Sequence, residues 1–260
     1  MKLVSWNLNS ARARAELLAE FLDDERPDVI ALQETKCVTA QFPSSVLLDR
    51  GYDWAHQGEP GRNGVALAAK ARLEDIEIGF GGSPTPPFDE ARLITATVGD
   101  MRIVSLYAPN GRRRGTDDWH QKLAWFKLLQ VWLELELADH EQLVVLGDFN
   151  VCPTTDDCYD PNKRNRNLVS DEERAAFAQL LDLGLVDIGR SLHGAEAGYT
   201  WFAQQRNQFE AGRGYRLDIA LATPNVTSRA ESCQPLLQWR DPTRRPSDHA
   251  PLELVVQEPD

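Results

Sequence analysis

Asp148 and Asn150 stand two residues apart behind Gly147, at the end of the apolar run Leu143-Val144-Val145-Leu146. An extended chain would aim both side chains to one side. The carboxylate can hold a cation or take a proton, and the amide can donate to a phosphate oxygen. Taken alone, these residue types also make a tight turn. The same kind of group recurs wherever an apolar run stops: Trp6-Asn7, Gln33-Glu34, Tyr107, and Asp248-His249 ahead of the final run. Each has a plain structural reading, with Asn7 as a helix cap, Glu34 as an exposed strand end, and Asp248 and His249 as part of a proline-bounded turn. Asp218 resists that reading because it interrupts Arg216-Leu217-Asp218-Ile219-Ala220-Leu221. A carboxylate in an apolar strand needs a partner to offset its desolvation. A histidine would supply one, and the carboxylate would fix its tautomer. Scattered acids, a histidine and no lysine nucleophile suggest metal-assisted hydrolysis, and hard oxygen ligands favour magnesium or manganese over zinc.

The elements that must position these groups alternate in type. Lys2–Trp6 reads as a strand, followed by a helix over Ala11–Asp24 with Leu17, Leu18, Phe21 and Leu22 on one stripe. Pro27 and Asp28 end it, and Val29–Leu32 is a second short buried strand. Gly64–Lys70 and Ala91–Val98 read as strands, and Gly99-Asp100 is a hairpin turn into Met101–Tyr107. The longest helical stretch runs from Asp117 to about Ala138, and the strand into Gly147 comes next. Gly147 lets the chain turn as that strand ends. Residues 151–169 are irregular, and Ser170 and Glu173 form a capping-box signature for a helix carrying Phe177, Leu180 and Leu181. Tyr199–Phe202, Tyr215–Ala222 and Leu252–Val256 read as later strands. No linker or repeat divides the chain, so residues 1–260 are expected to form one domain of α/β class.

A net charge of −12 argues against attraction to nucleic acid over the whole surface, but charge can be segregated on one face. No apolar run approaches membrane-spanning length, and Met1–Trp6 reads as a strand rather than a signal peptide. The expectation is a cytoplasmic protein without membrane contact, nucleoid-associated in a bacterium. Cys37, Cys152, Cys158 and Cys233 form no C-x-x-C pair. Cys152 and Cys158 could bridge in principle, and free thiols are favoured.

Seven motifs in order carry a resemblance: Val4-Ser5-Trp6-Asn7, Leu32-Gln33-Glu34-Thr35-Lys36, Asn63-Gly64-Val65-Ala66, Tyr107-Ala108-Pro109-Asn110-Gly111, Gly147-Asp148-Phe149-Asn150, Arg216-Leu217-Asp218 and Pro246-Ser247-Asp248-His249-Ala250-Pro251. Together they resemble the exonuclease III branch of the endonuclease/exonuclease/phosphatase superfamily, over nearly the whole chain. The resemblance implies a four-layer α/β/β/α sandwich of two packed mixed sheets. It implies a magnesium-dependent DNA repair phosphodiesterase, with manganese as the alternative ion. Such an enzyme acts as a monomer on double-stranded DNA, incising 5′ to abasic sites and clearing blocked 3′ ends as a 3′–5′ exonuclease. By motif match, Asn7 and Glu34 would hold the metal with Asp248 near it. Asp148 would activate water, and Asn150 and Tyr107 would position water and phosphate. His249, paired with Asp218, would contact the scissile phosphate.

One stretch departs from the pattern. After Tyr199-Thr200-Trp201-Phe202 the family usually continues Asp-Tyr-Arg, whereas this chain has Ala203-Gln204-Gln205, and Gly212 stands where asparagine is common. That substitution bears on substrate handling more than on catalysis.

Basic residues cluster beside the motifs: Arg112, Arg113 and Arg114; Lys163, Arg164 and Arg166; Arg213 and Arg216; Arg240, Arg244 and Arg245. With Trp201, these predict a basic rim that contacts DNA phosphates. Two other readings remain: a relative acting on a lipid, inositol or nucleotide phosphate, and a catalytically silent DNA-binding protein.

Overall fold

The computed structural model describes residues 1–81, 90–160, 167–205 and 207–258. In chain order the elements are β1 (Lys2–Asn7), α1 (Ala15–Glu25), β2 (Val29–Gln33), α2 (Ser45–Leu48), β3 (Asp53–Glu59), β4 (Arg62–Ala69), β5 (Glu74–Ile78), β6 (Leu93–Val98), β7 (Met101–Tyr107) and α3 (Asp117–Asp139). They continue as β8 (Leu143–Asp148), α4 (Asp171–Leu181), β9 (Val186–Asp187), α5 (Ile188–His193), β10 (Asp218–Ala222), α6 (Pro224–Thr227), β11 (Ala230–Pro235) and β12 (Leu252–Val256).

The strands make two six-stranded sheets, ordered β11-β12-β1-β2-β4-β3 and β5-β6-β7-β8-β10-β9. β1–β2 and β7–β8 are parallel and the other pairs antiparallel, so both sheets are mixed. Their facing sides share one core, with Leu3, Ala31 and Leu67 from the first sheet against Ile103, Leu146 and Ala220 from the second. On the outer face of the first sheet, Leu18 and Phe21 of α1 pack with Trp6, Ile30 and Trp239. On the outer face of the second, α3 and α4 bury Phe126, Leu129 and Phe177 against Val145 and Leu221. Fully burying each such side chain contributes roughly 1.5–3 kcal/mol. The result is a four-layer α/β/β/α sandwich.

Local sequence accounts for most boundaries. The expected helix from Ala11 opens with a 3-10 turn, Arg12–Arg14, and becomes α-helical at Ala15. It stops where Arg26 adopts the left-handed conformation ahead of Pro27. α4 begins at the anticipated capping box, with Ser170 Oγ accepting from Glu173 N and Glu173 Oε2 accepting from Ser170 N. Tyr199–Phe202 is not a ladder strand: Trp201 makes only isolated bridges, to Tyr215 and His249. The strand expected from Tyr215 starts at Asp218. Gly147 lies inside β8 rather than at a turn, and glycine is required there because a Cβ would sit 1.9 Å from the Leu106 carbonyl oxygen of the neighbouring strand. All four cysteines are buried free thiols. Among the described residues no helix is long and apolar enough to cross a membrane.

Candidate active site

The parallel pairs aim their ends the same way. β1 and β2 finish at Asn7 and Gln33 in the first sheet, while β7 and β8 finish side by side at Tyr107 and Asp148 in the second. β10 runs antiparallel to β8, so its first residue, Asp218, registers opposite Asp148. β12 runs antiparallel to β1, which brings Asp248 and His249, just upstream of it, to the same edge. One end of the sandwich therefore collects polar groups from both sheets. Beneath them, Gln33 links the layers: Ser5 Oγ lies 3.3 Å from its Oε1, and its Nε2 donates to Ser105 Oγ at 3.2 Å.

Asn7 spans the joint. Its Nδ2 donates to Glu34 Oε1 and to Asp148 Oδ2, both at 2.9 Å, while its Oδ1 accepts from Asn9 N at 3.0 Å. The Asn9 N–H fixes the amide orientation, so Asn7 presents hydrogens rather than a ligand oxygen to the two carboxylates. Glu34 stands in the left-handed backbone region at φ 49, costly for a non-glycine residue, and Asn150 does the same at φ 49. Such outliers mark positions where the surrounding structure dictates side-chain placement.

Asp148 is buried between Asn7 and Asn150, whose backbone N–H donates to its Oδ1 at 2.8 Å. Burial raises its pKa; His249 opposes the rise, and the neighbouring Asp218 and Glu34 carboxylates add to it, bringing it up to about 7. Asn150 also donates to Ala108 O at 2.9 Å, and its Oδ1 accepts from Asn110 Nδ2 at 2.9 Å. Asp218 Oδ2 lies 2.7 Å from His249 Nδ1, and His249 Nε2 faces Asp148 Oδ2 at 3.7 Å. Burial alone would lower the His249 pKa, but Asp218 and Asp148 outweigh it and hold the imidazole up to about 10. The Tyr107 phenol is pushed well above its usual range by burial and by the charges of Glu34 and Asp148, so it stays a proton donor. Arg92 sits 4.9 Å over its ring.

Ligand atoms of Glu34, Asp148 and His249 lie within 4.8 Å of one another. Two carboxylates held this close, one of them with a raised pKa, fit a hard divalent cation, whose charge would relieve their repulsion. Lys36 Nζ already stands 2.7 Å from Glu34 Oε2. Asp248 sits beside this group, with its oxygens engaged by Asn9 Nδ2 at 2.9 Å and Trp201 Nε1 at 3.0 Å.

The expected basic rim divides. Arg112, Arg113, Arg114 and Arg213 are exposed, although Arg114 pairs with Glu172 and Arg112 lies 3.4 Å from Asp118. Arg216 does not reach the surface: it is 3 % exposed and its guanidinium is taken up by Asp157 and Asp187 at 2.6 and 2.7 Å. Its place beside Asp218 reflects packing rather than phosphate contact. Lys163, Arg164 and Arg166 lie outside the described residues. Trp201 is half-buried against Tyr215 and lines a hollow of about 620 Å³ with Gln205 and Arg213.

Sequence reasoning missed Lys122. Fully buried on α3, its ammonium pairs with Glu173 and donates to the Asn150 carbonyl oxygen at 2.6 Å. The only signal was a lysine one turn before the apolar positions of a long helix, which reads equally as a solvated charge. Asn9 and Lys36 were also missed as partners of Asp248 and Glu34, though both lie inside or next to the quoted motifs.

The sequence profile of the Endonuclease/Exonuclease/phosphatase family matches residues 4–249. Exodeoxyribonuclease III of Haemophilus influenzae is 32% identical over 266 residues, covering 97% of this chain and 98% of that protein. The structure of the 3′ phosphatase NExo from Neisseria, bound to a product DNA hairpin, superposes with a TM-score of 0.95 at 34% identity, covering 99% of this chain and all of that one (100%). An AP endonuclease from Archaeoglobus fulgidus superposes with a TM-score of 0.94 at 32% identity, covering 99% and 100%.

Proposed function

The chain belongs to the Endonuclease/Exonuclease/phosphatase family, and from that premise we propose a DNA repair nuclease of the exonuclease III type, working as one catalytic domain. Its substrate is duplex DNA, cut 5′ to abasic sites and trimmed at blocked 3′ ends, with magnesium as the ion. The observation that carries this reading is the meeting of Glu34 from the first sheet with Asp148 and His249, framed by donors that add no negative charge: Asn7, Tyr107 and Asn150. Phosphodiester hydrolysis builds charge on non-bridging and leaving oxygens, and oriented donors stabilise it in place.

Glu34 would hold the cation, which would supply charge neutralisation at the phosphate. Asp148 takes the proton of the attacking water; its raised pKa suits that task near neutral pH. Asn150, fixed by Ala108 O and Asn110, keeps that carboxylate oriented. His249, kept protonated by Asp218, and the Tyr107 phenol donate to phosphate oxygens. As the water oxygen bonds to phosphorus the P–O3′ bond breaks, and the departing O3′ takes a proton from solvent, leaving a 3′ hydroxyl and a 5′ phosphate.

The test is a duplex carrying one abasic site, incubated with magnesium and with chelator, beside a 3′-phosphate-ended duplex and an inositol phosphate. Magnesium-dependent incision or 3′-phosphate release is expected. Turnover of the inositol phosphate alone would move the substrate class away from DNA.

A further inference from the structure

A second hollow, of about 380 Å³, opens on the far side of the Ala203-Gln204 stretch from Trp201. Three arginines from distant parts of the chain line it, Arg14, Arg240 and Arg245, against the single carboxylate of Glu210. Arg240 is 5 % exposed, and its buried Nε has no hydrogen-bond partner among the described residues. The rest of its guanidinium is braced from behind, by Phe202 O at 3.2 Å from Nη2 and by the Phe209 ring with its centroid at 5.1 Å. A charged N–H donor buried without a partner is costly to the fold. An anion in the hollow would lie beside this under-satisfied guanidinium. Arg245 is exposed and held in the left-handed conformation at φ 50, just ahead of Pro246. Arg14 donates to the Asn9 carbonyl oxygen, and the Asn9 amide in turn holds Asp248. The hollow thus adjoins the active site. Ala203 and Gln208 line both it and the Trp201 hollow, so the two are neighbours across a shared wall.

We infer that the Arg14–Arg240–Arg245 hollow is a phosphate pocket that seats a backbone phosphate of the DNA strand beyond the reacting group. Planar guanidinium forks suit that ligand because each can take two phosphate oxygens at once. The volume exceeds a bare phosphate, leaving room for the attached sugar. The assignment to DNA rests on the nuclease reading; the assignment to phosphate does not.

Arginine side-chain N–H resonances test it directly. Full-length protein in chelator, so that nothing is cut, is titrated with inorganic phosphate, with duplex DNA, and with chloride at matched ionic strength. The Arg240 Nε–H resonance should move with phosphate and with DNA and stay fixed with chloride. Arg245→Ala, a surface change whose fold is checked by thermal melting, should weaken phosphate binding several-fold. It should also lower the slope of log affinity against log salt on duplex DNA by roughly 0.9, the share of one phosphate. A resonance that ignores both ligands would overturn the pocket. Movement with phosphate but not with bound DNA would overturn the backbone assignment alone. A protein that binds no DNA yet shifts with phosphate would sink the nuclease reading and leave the pocket standing.

Discussion

His249 Nδ1 lies 2.7 Å from Asp218 Oδ2, inside a site where the other Asp218 oxygen, Oδ1, is buried with no hydrogen-bond partner among the described residues. The carboxylate therefore serves the imidazole almost alone. Asp218→Asn and His249→Asn should each lose activity by orders of magnitude, and the double variant should lose little more, because groups acting as a unit are non-additive. Multiplying losses in a kcat/KM cycle would show that the two work independently.

The same pair predicts a pH dependence. The folded pKa of His249 is held up to about 10, against 6.5 for the free side chain. The stability this contributes is fully present below about 6.5 and is lost as pH rises through the folded value. In Asp218→Asn the main support for the charged form is gone, so the resonance titration of His249 should shift towards neutral pH. An unshifted titration would mean that Asp148 alone sustains the charge.

Glu34→Gln keeps size and shape but removes the carboxylate facing Asp148. It should weaken magnesium binding and incision while leaving the fold intact. In the parent, magnesium at a hundredfold excess over its Kd should stabilise by about 2.7 kcal/mol, a rise of several degrees in Tm, and chelator should reverse it. Equal cutting by parent and variant across a magnesium titration would exclude Glu34 as a ligand.

Lys122 and Glu173 form a fully buried ion pair, so removing one partner strands the other. Lys122→Met should cost about 3–5 kcal/mol, and pairing it with Glu173→Gln, which keeps an acceptor for Ser170 N, should recover part of that loss. The double variant should nevertheless keep a reduced kcat, because the Asn150 carbonyl has lost its donor. A double variant with parental kcat would confine Lys122 to stability.

Replacing Arg112, Arg113 and Arg114 by alanine should weaken duplex binding and flatten its salt dependence, each lost phosphate contact removing roughly 0.9 from the slope. Arg113 should carry most of the change, since Arg112 and Arg114 already face Asp118 and Glu172. An unchanged slope would place all three off the DNA backbone.

How much of this was legible in the sequence follows from what each feature depends on. The strands ending at Asn7, Gln33, Tyr107 and Asp148 were readable because short apolar runs stopped at polar groups, a local pattern. That Asp218 needs a partner was readable because a carboxylate in an apolar strand is costly alone, while His249 as that partner came from the resemblance of the motifs. β11, half-exposed along Ala230–Pro235, has no such pattern and takes its form from pairing with β12. Arg216 was misplaced and Lys122 missed for one reason: a charge in sequence carries no mark of whether folding will bury it. Arg216 is enclosed by Asp157 and Asp187, which lie 59 and 29 residues away. Glu173 is 51 residues from Lys122. Gly147 was flagged for the wrong cause, since the constraint comes from the Leu106 carbonyl on another strand.

The order in which the strands enter the first sheet has a consequence for a chain still being synthesised. β1 precedes the other strands in the chain, yet one of its two neighbours is β12, and Met1 N bonds Val256 O across 255 residues. Until residues 248–256 emerge from the ribosome, β1 keeps an open edge, and His249 and Asp248 do not yet exist. Every carboxylate of the second sheet's share of the site, Asp148 and Asp218, is already translated by then. A nascent chain thus carries most of the cutting residues without a working site, and competence arrives with the closing strand, in a single late step.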